Sequence, residues 1–379
     1  MLNKKKIVFL TGTRADFGKI KSLIQILQNK AEFETHIFVT GMHMQQEYGS
    51  TYLEVKKSGF QNIETYENQT HETTMDLTLA KTIGGFSEYI KKIKPNLVIV
   101  HGDRVEALAG AIVGSLNNIL VAHIEGGELS GTIDELIRHS VSKLSHIHFV
   151  SNKEAKRRLR QMGELPTTIF EIGSPDIDIM LSKKLPKIKV VKEYYEICFE
   201  NYGVVMFHPV TTEIDNLLIH IQNLVKALIK SHKNYVVIYP NNDLGSSIII
   251  NEYMKLLKNS NFRILPSLRF EYFLTLLKNA DFIIGNSSAG VREAPYYNIP
   301  TINIGSRQNN RVKDGSILNI GYSEHHILKA IITLNEISKN DNDKHSFGGG
   351  KSDELFYEIL KNVQLWKINN QKQFKDKLD

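Results

Sequence analysis

A single cysteine, Cys198, stands among 379 residues, which excludes an intrachain disulfide and the small disulfide-stapled secreted folds. No apolar run reaches the roughly 20 residues that a membrane-spanning helix requires, and no charged-then-apolar leader opens the chain. The expectation is a cytoplasmic protein without a membrane partner. The 14 histidines never fall at metal-ligand spacing and no aspartate-rich Mg²⁺ loop is present, so neither a metal nor another cofactor is expected. Nucleic acid is not an expected partner either. The 47 lysines and arginines are scattered among 41 acids without aromatic interleaving or a recognition motif, and the net charge of +6 reads as a solvated basic surface. Two common phosphate cradles are also missing: strand-like Ile7-Val8-Phe9-Leu10 runs into TGTRADFGKIKSL, which has neither the G-x-G-x-x-G nor the G-x-x-x-x-G-K-[ST] spacing.

What is present is an ordinary globular balance, 41% hydrophobic and 23% charged, on a chain longer than one core usually holds. Short β-branched runs alternate with helical periods along its length. The most informative stretch runs from Leu97 to Leu144. Its apolar run Leu97 to Val100 stops at His101-Gly102-Asp103-Arg104, and a second, Ile119 to Ile124, stops at Glu125-Gly126-Gly127-Glu128. A Gly-Thr turn then leads to a helix with Asp134 and Arg138. In an open parallel sheet such strand ends share one crevice, so Asp103, Glu125 and Asp134 are expected to converge there. Upstream, Arg14 and Lys19 sit beside a helix amino terminus, where an anion is favoured. His43, in a loop after the next strand, is either a sugar contact or an ordinary loop histidine.

Strands around Ile147 to Val150 and Ile169 to Ile172 complete a first domain of about six strand-helix units. Its expected extent is 1–185. A long helix is expected around Tyr48 to Gly59, and Glu64 to Thr74 reads as a lid or a surface loop. Pro175 to Lys192 has linker composition. The alternation restarts with strand candidates Val204 to Phe207, Tyr235 to Tyr239, Arg263 to Leu265, Phe282 to Gly285, Thr301 to Ile304 and Ile317 to Ile320. They form a second domain at 198–362, and 363–379 with Trp366 is expected to pack back on the first. The fold class is therefore α/β, two Rossmann-like doubly wound domains facing a central cleft.

In the second half, ADFIIGNSSAGVREAP places Gly285-Asn286-Ser287-Ser288-Ala289-Gly290 between a strand and a helix, small residues that let N–H groups and hydroxyls approach a diphosphate. Glu293, about one turn into that helix, is suited to ribose hydroxyls. His208 ends another strand before Pro209, a candidate to hold a diphosphate or donate a proton, and Asn241 ends a third. Gly348 to Lys351 reads as a flexible surface turn.

Together GTRADFGK, VIVHGDRVEALAG, HIEGGELSGTIDELIRHSVSKLSHIH, GSPD, MFHPVTTE, YPNND and GNSSAGVREAP resemble the hydrolysing UDP-N-acetylglucosamine 2-epimerases of bacterial sialic-acid synthesis, from about Lys5 to Gln371. The resemblance implies a fold like that of the B-type glycosyltransferases (GT-B). It also implies conversion of UDP-GlcNAc and water to N-acetylmannosamine and UDP on a route to surface polysaccharide, by a homodimer or homotetramer. Its catalytic groups fall on Asp103, Glu125, Asp134 and His208. UDP contacts fall on Arg14, Arg104, Asn241, Ser287, Ser288, Glu293 and Arg307, with Lys19 nearby and Gly290 in the serine turn. Gly18 stands where some relatives carry serine. Non-hydrolysing relatives have HVEAG and an arginine-rich segment in place of HPVTTE, so the chain sides with the hydrolysing subclass.

The implied reaction requires several acids. The C2 proton of a GlcNAc unit becomes acidic only as the C1–O bond to UDP breaks and positive charge builds on the ring. Elimination gives 2-acetamidoglucal, and hydration then returns a proton to the opposite face of C2. Two faces demand at least two carboxyl groups, with Asp103 and Asp134 expected around C2 and Glu125 assisting. A UDP-linked 2,4-diacetamido-trideoxy sugar is the alternative substrate, and a glycosyltransferase of the same fold is the rival activity.

Overall fold

A computed structural model of the chain describes residues 4–69, 74–130, 132–308, 315–334 and 347–376. It divides into two units, Met1–Glu128 with Asp134–Lys183 and His345–Asp379, and Leu129–Ile133 with Lys184–Lys344. In the first unit, strands β1 (Lys5–Thr11), β2 (Phe33–Val39), β3 (Ile63–Thr65), β4 (Leu97–His101), β5 (Leu120–Ile124), β6 (Ile147–Val150) and β7 (Ile169–Glu171) form one sheet in the order β3-β2-β1-β4-β5-β6-β7. Every pairing is parallel. Parallel strands need helical crossovers that cover both faces, and the central strands are accordingly apolar without alternation: Ile7, Val8, Phe9 and Leu10 are all buried.

In the second unit β8 (Gly203–Met206), β9 (Tyr235–Ile238), β10 (Phe262–Leu265), β11 (Phe282–Gly285), β12 (Thr301–Ile304) and β13 (Ile317–Ile320) form a parallel sheet in the order β10-β9-β8-β11-β12-β13. Its core gathers Val205, Phe207, Ile284 and Ile302 under Leu224 and Leu228 of the helix Leu217–Lys230. The α/β expectation of two doubly wound sheets thus matches the structure. Among the described residues no helix is long and apolar enough to cross a membrane.

Several local expectations change. The return to the first unit comes earlier than 363, because the helix Ser352–Lys361 carries Phe356 and Leu360 on one face, and both are fully buried in the core with Phe9 and Phe149. Phe356 meets Phe149 edge-on at 4.9 Å between ring centres. The supposed linker from Pro175 to Lys192 holds two short helices, Pro175–Met180 and Ile188–Tyr194. It is ordered by tertiary contacts: the Asp178 carboxylate accepts the backbone N–H groups of Ser352 and Asp353 at 2.9 and 3.0 Å. That carboxylate caps the helix after the Gly348 to Lys351 turn and fills the place an anion would take there. Phe347 O accepts from Ser174 N at 2.7 Å, so this turn is bound into the unit and not a loose surface feature.

The long helix expected around Tyr48 to Gly59 is reduced to Tyr52–Lys57. Within Glu64 to Thr74, residues 63–65 form edge strand β3, Asn68 is fully buried with its side chain bound to Gly41 N and Thr82, and residues 70–73 lie outside the described residues.

Candidate active site

Each sheet reverses its strand order at one place, between β1 and β4 in the first unit and between β8 and β11 in the second. Loops leaving the carboxyl ends of those strands diverge to opposite faces, which opens a crevice where such folds bind ligands. Of the sequence-derived candidates, Arg14, Lys19, Asp103, Arg104, His208, Ser287, Ser288, Gly290 and Glu293 follow these four strands, whereas His43, Glu125, Asp134, Asn241 and Arg307 follow the neighbouring strands β2, β5, β9 and β12.

In the first unit β1 runs into Gly12 and Thr13, and Thr13 caps the helix Arg14–Gln28 by accepting Asp16 N. The Asp16 carboxylate accepts from Thr11 Oγ1 at 2.9 Å and Gly12 N at 3.0 Å. Across the reversal, His101 ends β4. Its Nδ1 lies 3.0 Å from Asp16 and its Nε2 3.3 Å from Glu125. Burial alone would neutralise the ring, yet Glu125 and Asp16 outweigh it and raise its pKa to about 9. Glu125 ends β5 with φ +63°, a left-handed conformation that non-glycine residues rarely take and that aims its side chain at His101. Its other oxygen accepts from Ser174 Oγ.

Asp103, two residues beyond β4, is paired with Arg138, whose other Nη reaches Glu128 O at 3.4 Å. Arg138 lies on the helix Ile133–Leu144, and Asp134 precedes it by one turn on the same face. Asp103 and Glu125 thus follow adjacent, paired strands, Glu125 beside His101 and Asp103 beside Arg138, with Asp134 one turn before Arg138. His123 supports these strand ends from below: buried, with its pKa lowered to about 3 by desolvation, the neutral ring donates to Gly102 O at 2.8 Å through Nε2 and takes the Ser142 hydroxyl at 3.0 Å on Nδ1. Glu128 accepts from Ser151 Oγ at 2.6 Å.

The first-unit cations expected to meet phosphate each face an acid of the protein. Arg14 pairs with Glu54, Lys19 lies 3.2 Å from Asp176, and Arg104 Nε is 3.5 Å from Glu106. His43 differs from its expectation as a sugar contact. It is completely buried between the Thr11 and Thr51 hydroxyls at 3.2 and 2.7 Å, and desolvation lowers its pKa to about 4. A neutral ring with both nitrogens engaged holds Thr11 in place.

In the second unit, Asn286 anchors the reversal. Its amide accepts from His208 N at 2.7 Å and donates to His208 O at 2.9 Å, so the loops after β8 and β11 are tied together. Asn241 N donates to His208 Nδ1 at 3.0 Å. In the neutral ring this puts the proton on Nε2, which becomes a hydrogen-bond donor. Asn241 pairs by its side chain with Asp243, and Arg307 and Gln308 both donate to Asn286 O, at 3.4 and 2.8 Å. His208, Asn241, Asn286 and Arg307 therefore form one connected group.

The serine turn is not the start of a long helix. Ser287 caps a single 3₁₀ turn, Ser288–Gly290, and Glu293, buried, opens a helix of only four residues, Glu293–Tyr296. Such short segments have little macrodipole, so any anion held here depends on individual N–H and hydroxyl groups. Gly290 is set against Thr301, which donates to Gly290 O at 2.6 Å, so its small size serves packing. Gly285 takes φ +137°, and a Cβ there would lie 1.9 Å from Met206 O, so only glycine fits. Among the described residues no group of three or more His, Cys, Asp or Glu side chains is placed to hold a metal ion.

Comparison with known proteins bears on this arrangement. The family model described as UDP-N-acetylglucosamine 2-epimerase matches residues 25–361. A UDP-N-acetylglucosamine 2-epimerase of Neisseria meningitidis serogroup B is 48% identical over 375 residues, covering 98% of this chain and 99% of its own. The chain belongs to the UDP-N-acetylglucosamine 2-epimerase family. Within it, a hydrolysing UDP-N,N'-diacetylbacillosamine 2-epimerase of Legionella pneumophila is 34% identical, covering 95% of this chain and 97% of its own. The fold is that of a UDP-GlcNAc 2-epimerase from Methanocaldococcus jannaschii solved with UDP-GlcNAc and UDP, with a TM-score of 0.80 at 24% identity, covering 94% of this chain and 99% of that one.

Sequence reasoning missed four residues in this epimerase-family chain: His101 and Ser174, which meet Glu125, Asn286, which meets His208, and Asp16, which meets His101. Asp16 was concealed by the Thr13-x-x-Asp16 spacing of a helix cap, which accounts for it without function. His101 carried a usable signal, a histidine as the last strand residue before Gly-Asp. Ser174 had none, since its partner Glu125 is 49 residues away.

Proposed function

We propose that the protein is a hydrolysing UDP-N-acetylglucosamine 2-epimerase that converts UDP-GlcNAc and water to N-acetylmannosamine and UDP, a first step toward sialic acid. What supports this reading is that Asp103 and Glu125 follow the paired strands β4 and β5, and Asp134 stands one turn before the Arg138 that meets Asp103, in a chain of this family. The high identity to the Neisseria meningitidis epimerase supports the substrate, and the Legionella pneumophila relative supports hydrolysis.

In this mechanism the second unit holds the nucleotide. His208 donates through Nε2 to the departing diphosphate, Ser287 and Ser288 supply hydroxyl and N–H donors, Glu293 takes the ribose, and Asn241 and Arg307 fix the loop. Arg14, Arg104 and Lys19 add positive charge against the phosphates. As the C1–O bond breaks, a carboxylate near the ring balances the developing oxocarbenium charge and a second removes the C2 proton, giving 2-acetamidoglucal and UDP. In the second half-reaction water adds to C1 while a carboxyl group delivers a proton to the other face of C2. Asp103 and Asp134 serve C2, and Glu125 assists.

Turnover of UDP-GlcNAc in heavy water tests this: the released N-acetylmannosamine should carry deuterium at C2. Product that retains only the original hydrogen would refute the elimination. The Legionella pneumophila relative also supports a second reading, a UDP-2,4-diacetamido-2,4,6-trideoxy sugar as substrate. Comparing kcat/KM for the two nucleotide sugars decides between them.

A further inference from the structure

His101 was not needed to account for the reaction above, yet it is buried between two acids of the first unit. Its ring lies at ion-pair distance between two carboxylates, Asp16 at 3.0 Å from Nδ1 and Glu125 at 3.3 Å from Nε2. An acid carries no proton to share when ionised, so a ring facing two carboxylates satisfies both only when both of its nitrogens bear hydrogen. The flanking acids are themselves fixed. Asp16 is held by Thr11 and Gly12, and Glu125 by Ser174 and by its own left-handed backbone. Ser174 is fully buried, with its backbone N–H on Phe347 O. Nearby stand His123 on β5, kept neutral by burial, and the Asp103–Arg138 pair.

We propose that His101 is a positioning residue, an imidazolium clamped between Asp16 and Glu125 that keeps the Glu125 carboxylate anionic and fixed in direction for the reaction proposed above. The inference rests on that reading for its consequence, although the charge of the ring can be measured without turnover. A clamped Glu125 acts as a negative charge or a proton acceptor beside the sugar, and proton donation falls to the other acids. Ser174 completes the clamp, because the second oxygen of Glu125 cannot rotate while its hydroxyl is in place.

The direct test is an NMR pH titration of the full chain labelled with ¹⁵N in its histidine rings. His101 should lose its proton near pH 9, and Asp16→Asn should move that midpoint down by at least one unit. A His101 already neutral at pH 7 in the unmodified protein would overturn the proposal. The kinetic test is the pH profile of kcat. Activity should fall as pH rises through about 9, and His101→Gln, which can hydrogen-bond but carries no charge, should abolish that limb and lower kcat at least tenfold near pH 7 with KM within threefold. His101→Gln with unaltered kcat and an unaltered limb, or with UDP affinity lost in proportion, would also overturn it. Should His101→Gln fail to fold, Asp16→Asn reads the same limb, expected at lower pH. The two ideas fail separately: absence of C2 deuteration by the unmodified protein refutes the epimerase reading, whereas deuteration with a neutral His101 refutes only the clamp.

Discussion

Replacing Asn286 with alanine isolates the bond that ties together the two loops of the second unit's crevice. The side chain is fully buried, and its amide makes two short hydrogen bonds to the backbone of His208, at 2.7 and 2.9 Å. Each such bond contributes about 1 kcal/mol net, and a buried donor or acceptor left unpaired adds a penalty of similar size, so the variant should lose roughly 2–4 kcal/mol in total. Most of that loss acts where His208 must hold its position, because the strands around it remain paired. If His208 meets the leaving diphosphate as proposed, a displacement energy of about 2–3 kcal/mol there corresponds to roughly 30–150-fold in kcat/KM. The assay is release of N-acetylmannosamine and UDP from UDP-GlcNAc at 25 °C, with thermal melts run in parallel. Asn286→Asp provides the control: its carboxylate still accepts from His208 N but cannot donate to His208 O, and its activity should fall between the other two. A kcat/KM within threefold of the parent, alongside a lowered melting temperature, would show that Asn286 only stabilises the fold and would refute its role in holding His208.

Three further outcomes are expected. Asp103→Asn should lower turnover at least a hundredfold while UDP affinity, measured by calorimetry, changes little; equal losses in both would mean that Asp103 serves the fold through Arg138. Glu164 is buried among His148, Lys143 and Lys372 at 3.0, 2.9 and 2.6 Å, and although burial opposes ionisation these partners lower its pKa to about 2. Against an ordinary value of 4.5, that difference contributes on the order of 3 kcal/mol, present above about pH 4.5 and lost as pH falls toward 2. Glu164→Gln should therefore melt lower at pH 7, and its stability should vary less than the parent's between pH 7 and pH 3; a parallel pH dependence would contradict this account. Gly285→Ala should fail to fold or melt far below the parent, since its Cβ would overlap Met206 O, and a soluble variant of unchanged stability by circular dichroism would show that β11 can shift.

Much of this fold was legible because parallel strands buried on both faces are short continuous apolar runs. Phe282–Gly285, Thr301–Ile304 and Ile317–Ile320 could be bounded to the residue. Edge strand β3 was not, since Ile63–Thr65 is three residues long with only one apolar side chain, and its pairing to β2 comes from the partner. The helix around Tyr48 to Gly59 shortened for a related reason. Its apolar positions fit a helix, but Gly49 and the residues around it turn with left-handed backbone angles.

By itself the sequence determined the class of fold, the two successive α/β halves and the strand ends on which Asp103, Glu125 and His208 stand, because these follow from the local period of apolar residues and from where it stops. Tertiary structure alone decided what each of those groups touches. That Arg138 neutralises Asp103, that His43 is a buried ring against Thr11 and that the chain after residue 347 returns to the first unit depend on contacts between residues tens to hundreds of positions apart. Charge state and direction are set by those neighbours, so the chemistry that His101 and Glu125 impose on each other existed only once β4 and β5 lay side by side.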